Sequence, residues 1–257
     1  MNIFISPPTG IVNKMLTMES IPNEKSDTVV EVIMNIVNAN SMSDKIIGLS
    51  ADNTNLNFGG VNRNGINNVW RKLQNCLNRE IIGFGCLAHI AHNSISAGCE
   101  TLPIDFEALA VKIYKHFSLF TVRTEQLKAV CVNMNQIYKP LKSHSSSRFL
   151  SLEPALRRIF EIFDPLCSYF QSVRNCPPNI KQFFENLSSK FWILFVLNQL
   201  DNFNSSIKFM EGSSISSFEA ASEVKALKGK IQNRRRFGYI PREAKAVFDQ
   251  LSARSQI

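Results

Sequence analysis

Several groups of residues in this sequence combine types and spacings that could do chemistry. Asp52 follows the short apolar run Lys45–Ser50 (KIIGLS). A carboxylate just beyond a buried strand is where a phosphoryl-transfer enzyme holds a divalent cation. One acid is not a site, because two-metal transfer needs several carboxylates converging on ions about 3.5–4 Å apart. On spacing alone, Asp52 suits an Asx turn or a helix cap at least as well. Cys86, His89 and His92 recur three residues apart, with Cys99 further along. That spacing puts ligand types near one face of a helix. They sit among Leu87, Ala88, Ile90 and Ala91, without a second Cys/His pair at finger-like spacing. A packed helix is expected there, and no metal site.

Two further groups point to polyanions. In Ser143–Leu152, small hydroxyls adjoin Arg148 and Phe149, a mix that can hold a phosphate and stack on a base. The same stretch suits a helix start, with Ser151 as N-cap ahead of Pro154. The run Arg234, Arg235 and Arg236 can contact phosphates or serve as an import signal, and it equally suits a solvated helix face. Gly83-Phe-Gly85 lacks the later glycine and acidic partner of a dinucleotide fingerprint.

The elements that would position these residues alternate through the first third of the chain. Asn2–Ser6 and Ile11–Met18 flank Pro7-Pro8-Thr9-Gly10, which predicts a hairpin. Thr28 and Glu31 form a capping box, and Val29, Val32, Ile33, Ile36 and Val37 recur at helical spacing, so a helix is predicted over 27–39. Lys45–Ser50 reads as a strand buried on both faces. The loop 53–64 holds five Asn and an adjacent glycine pair. Beyond it, Val69, Trp70, Leu73 and Leu77 mark a helix and Ile81–Gly85 a strand. This alternation implies a parallel strand pair with chemistry beyond its carboxyl ends. From about residue 105 helical periodicity dominates, first through Phe106, Leu109, Ala110, Ile113 and Phe117. It resumes through Leu156, Ile159, Phe160, Phe163 and Leu166.

Composition bounds the remaining choices. The chain has 257 residues, 44% hydrophobic and 19% charged, with a formal net charge of +8. That is enough apolar surface for a real core, and a field that favours polyanions. Six cysteines without framework spacing fit reduced intracellular thiols. The start lacks a secretory pattern, and the most apolar stretch, FWILFVLNQL, is too short to span a bilayer. No membrane association and no small-molecule substrate are expected.

Taken together, SADNTNLNFGG (50–60), CLAHIAHN (86–93), LPIDFEALAVKIYKHFSLFTVRTEQLK (102–128) and SRFLSLEPALRRIFEIFDPLCSYFQS (147–172) resemble the middle of a hAT-superfamily transposase. The likeness is nearest to animal transposon-derived proteins that carry upstream zinc fingers, and it runs from about residue 2 to 212. It implies an α/β fold: a partial ribonuclease H-like core with a short mixed sheet and helices over 1–100, followed by a mainly helical insertion and basic tail over 101–257. By the resemblance, Asp52 matches the second acid of a DDE set. Cys86 and His89 match a C-x-x-H element, and Arg148-Phe149 matches an Arg-Trp pair that handles the DNA end.

The first acid of such a set would precede Asn2 and the third would follow the complete insertion, so a core truncated at both ends is expected. Phe149 keeps an aromatic face but loses the indole donor. The expectation is a nuclear, otherwise cytoplasmic, transposon-derived protein. It would lack strand-transfer activity and cofactors while retaining DNA or protein binding and a tendency to self-associate. Mg²⁺ or Mn²⁺ would enter only if a longer protein supplied the full acid set. The alternatives are a fragment of an active metal-dependent transposase and a nuclear protein-interaction module.

Overall fold

A computed structural model of the chain describes residues 2–5, 12–60, 62–145, 150–212 and 215–254. These residues form an α/β protein whose bulk is helical. They fall into two compact units, Met1–Ile90 with Phe209–Ala220, and Ala91–Lys208 with Ala221–Ile257.

The first unit opens with strands β1 (Asn2–Ile5) and β2 (Val12–Met15), paired antiparallel from Asn2↔Met15 to Ile5↔Val12, the predicted hairpin. Helix α1 (Ser26–Ala39) follows, then a 3₁₀ turn at Ser43–Lys45 and strand β3 (Gly48–Ala51). A one-turn helix α2 (Asn55–Phe58), helix α3 (Val69–Leu77) and strand β4 (Ile82–Gly85) complete the pattern. β3 and β4 run parallel, with Gly48 opposite Ile82 and Ala51 opposite Gly85. The hairpin and the parallel pair are separate two-stranded sheets, so the described residues do not form one mixed sheet.

Helix α1 packs on α3, and Val30, Val69, Leu73 and Ile81 are the buried centre of this unit, with Ile33, Leu49 and Trp70 around them. The anticipated capping box at Thr28 does not form. The helix starts earlier, at Ser26, with Lys25 in the cap position and no side-chain cap. Instead the Asn23 side-chain Oδ1 accepts from the Lys25 N–H (3.0 Å) and the Thr28 hydroxyl (2.8 Å). An Asx-type turn thus leads into the helix and engages the Thr28 hydroxyl. The strand buried on both faces is also corrected. Leu49 meets the helices, but Ile47, Ile82 and Phe84 are exposed, at 77%, 58% and 46%. In this unit helices α1 and α3 cover one side of the pair, so a two-stranded sheet has only one core face to fill.

The second unit is built on α5 (Phe106–Ser118), α6 (Thr121–Asn133), α7 (Leu152–Glu161), α8 (Phe163–Ser172), α9 (Pro178–Glu185) and α10 (Ser189–Met210). Helix α4 (Leu87–Glu100) precedes them, and α11 (Ser217–Arg236) and α12 (Arg242–Arg254) follow. The predicted apolar period of α5 is the buried face: Phe106, Leu109, Ala110, Ile113 and Phe117 are all 5% exposed or less. Asp105 caps this helix by accepting from the Ala108 N–H at 2.9 Å, worth about 1 kcal/mol.

The second run of period breaks into two helices at Ile162. Pro165 explains the break, since its ring clashes with the carbonyl four residues back, at Glu161, where α7 ends. Ser151 occupies the cap position of α7 but makes no cap bond. Its hydroxyl is drawn to His144 Nδ1 (2.8 Å) and to the Ser145 backbone. No described helix is long and apolar enough to cross a membrane.

Candidate functional site

The carboxyl ends of β3 and β4 bring Asp52, Cys86 and His89 into one neighbourhood. The Cys86 N–H donates to the Ala51 carbonyl at 2.9 Å, extending the ladder one step beyond the strands. The Asn53 amide then donates to the Cys86 carbonyl at 3.1 Å and lies directly over Gly85. A Cβ on Gly85 would come within 1.8 Å of Asn53 Oδ1, so only glycine fits beneath that side chain as it stands.

Asp52 is exposed, and its Oδ1 accepts from the Thr54 hydroxyl (2.8 Å), the Asn57 amide (2.7 Å) and the Thr54 N–H (3.4 Å). Partial burial pushes the carboxyl up. These bonds, with a smaller contribution from the charge of His89, outweigh it and hold the group below its usual value. Hydrogen bonds to the charged form act in this direction. Asp52 is therefore an ionised carboxylate with one oxygen committed to neutral donors. All its hydrogen bonds among the described residues go to Oδ1, and Oδ2 takes none. An oxygen of that kind suits a hard cation or a hydrogen-bond donor.

The loop behind this site is fixed by contacts that sequence patterns did not signal. Arg63, at φ +53°, turns its guanidinium inward. It donates to the Gly83 carbonyl at 2.8 Å and stacks over Phe58 (4.6 Å) and Trp70 (5.7 Å). Trp70 Nε1 donates to the Ile81 carbonyl at 2.9 Å. Both side chains thus hold the backbone of β4 and its approach.

Comparison of the chain with known protein families, with curated proteins and with solved structures finds no match.

The other candidate residues lie apart from Asp52 in sequence. Arg148 and Phe149 fall outside the described residues. Arg234, Arg235 and Arg236 form the last turn of α11. Arg234 is half-buried and committed, donating to Gln199 Oε1 at 2.9 Å and stacking on Tyr239 at 4.6 Å. Arg235 and Arg236 are exposed.

A polar cluster in the helical unit escaped the sequence reading. The buried His144 ring sits with Nε2 3.8 Å from Glu107, and Glu107 also accepts from Ser96 at 3.2 Å. Burial lowers the His144 pKa, Glu107 opposes this, and His92 lowers it further. Nearby, burial and then the charges of Glu107 and Asp105 push the Cys99 thiol up to about 11, which keeps it unreactive. The only sequence signal for this cluster was a lone histidine in SHSSS, with its partner far upstream.

Proposed function

We propose that this chain is a hAT-transposase-like, transposon-derived polypeptide that binds nucleic acid and does not by itself perform strand transfer. The observation that carries nucleic-acid binding is a set of four exposed cations, Arg235, Arg236, Arg242 and Lys245. None of them enters an ion pair among the described residues. Exposed cations of this kind exchange their counterions for phosphates, which is the sequence-independent source of affinity for DNA and RNA. The transposase ancestry rests on the sequence resemblance. The parallel pair supports it, with Asp52 at the end of one strand and Cys86 and His89 beyond the other. A partial ribonuclease H-like core belongs to the same proposal, as does nuclear residence.

The reading without cutting is tested at Asp52. By the resemblance, Asp52 matches the second of the three acids. If it is a remnant, incubating supercoiled DNA with the chain and Mg²⁺ or Mn²⁺ leaves the DNA intact, and Mn²⁺ titration calorimetry gives the same heats for wild type and Asp52→Ala. Metal-dependent nicking abolished by Asp52→Ala would overturn it.

A second possibility, a fragment of an active transposase, is favoured by one observation, the ionised state and open Oδ2 of Asp52. A longer protein supplying two further acids would then cut where this chain does not. Mg²⁺ or Mn²⁺ held by such a set would polarise the scissile phosphate.

A further inference from the structure

We infer that the turn joining α11 to α12 is a stacking site for an unpaired base, so that the nucleic acid bound is single-stranded. The inference rests on the nucleic-acid binding proposed above and narrows its substrate class.

The last turn of α11 closes in a Schellman arrangement. The Tyr239 N–H donates to the Arg234 carbonyl at 2.9 Å and the Gly238 N–H to the Arg235 carbonyl at 3.3 Å. Gly238 itself lies at φ +56°. Glycine is favoured in that conformation, and here it fixes Phe237 and Tyr239 on either side of one tight turn. Arg234 braces the turn from behind through Gln199 of α10 and the Tyr239 ring. The outer ring has no such packing: Phe237 is 74% exposed, with the Arg236 guanidinium 5.5 Å from its centroid.

Arg235 and Arg236 precede the turn in the chain and Arg242 and Lys245 follow it, all four exposed. The acids of α12, Glu243 and Asp249, make no ion pair with any of them among the described residues. An exposed ring on a braced turn, with one guanidinium beside it and further exposed cations on either side in the chain, matches a strand whose backbone is tracked by charge while its bases stack on aromatic faces. A duplex satisfies the cations equally well, but its bases already stack on one another and leave Phe237 without a partner. An acidic lipid surface would use the same charges and bury the ring.

Fluorescence anisotropy separates these cases. The full chain is titrated into a labelled oligothymidylate of roughly 15 nucleotides, into a labelled duplex of equal length, and onto phosphatidylserine vesicles. The expected result is strand binding roughly tenfold or more tighter than duplex binding. That preference should be lost in Phe237→Ala and kept in Phe237→Trp, with circular dichroism unchanged because the side chain packs on little. Equal affinity for strand and duplex would overturn the stacking site and leave nucleic-acid binding standing, provided both fall with Arg235→Gln/Arg236→Gln and ignore Phe237→Ala. Failure to bind either oligonucleotide would overturn both. Preference for vesicles over the strand, lost in Phe237→Ala, would overturn the stacking site in favour of a membrane surface.

Discussion

At the scale of single residues, His116 has the most to say about conditions. It is buried, and its Nε2 pairs with the Tyr169 hydroxyl at 3.1 Å. Burial first, and the Arg123 charge second, pull its pKa down to about 4. The unfolded ring titrates near ~6.5. Between these values the unfolded chain binds a proton that the folded chain refuses. The contribution is therefore complete above about pH 6.5 and is lost as pH falls toward about 4, by ~3 kcal/mol at most. Burial shifts His144 the same way. Urea midpoints should fall between about pH 6.5 and 5, where carboxylates barely titrate, and His116→Gln should flatten that slope. An equal slope in the variant would place its origin elsewhere. Asp52 could be singled out from sequence because a carboxylate at a strand end is a local pattern. Thr54 and Asn57, which hold it, belong to an Asn-rich loop where many side chains could have served. His116 and His144 meet partners about fifty and forty residues away in the chain, Tyr169 and Glu107, and no spacing rule reaches that far.

At the scale of elements, long amphipathic segments were legible and short ones less so. The buried faces of α3, α5 and α7 follow their apolar periods because each helix buries one stripe. The β3 run was over-read as doubly buried, since a run of apolar residues carries no record of how many layers surround it. The break at Ile162 was missed although Pro165 was in plain view, because the apolar period continues through it. The core of the helical unit is denser in aromatics than any period reveals. Phe170 stacks on Phe184 at 5.4 Å and 19°, and meets Phe117, Tyr169 and His116 edge-on or tilted. Truncation by Phe170→Ala should cost about 3–5 kcal/mol by chemical denaturation. The 79%-exposed Phe218 should tolerate Phe218→Ala to within about 0.5 kcal/mol. Similar costs at the two positions would contradict this assignment of the core.

At the scale of the molecule, two units of unequal core share one chain. The α/β unit centres on Val30, Val69, Leu73 and Ile81, while the helical unit buries residues from Cys99 to Leu200 in one continuous cluster. Stability scales with apolar surface removed from water, so scanning calorimetry should resolve two transitions with the α/β unit melting first. Thermal loss of Trp70 fluorescence would report the early one, and a single cooperative transition seen by every probe would contradict it. Composition alone had indicated a foldable, basic chain. It could not indicate that part of the positive charge is turned inward, as Arg63 is.

The overlap of Asn53 with Gly85 also ties together the changes these two positions can accept. With Asn53 in place, any side chain at 85 must evict it and break its bond to Cys86. With a smaller residue at 53 that bond is already gone, and the space above Gly85 is open. The two positions are therefore coupled: a side chain at 85 displaces Asn53, and a smaller residue at 53 makes room for one at 85.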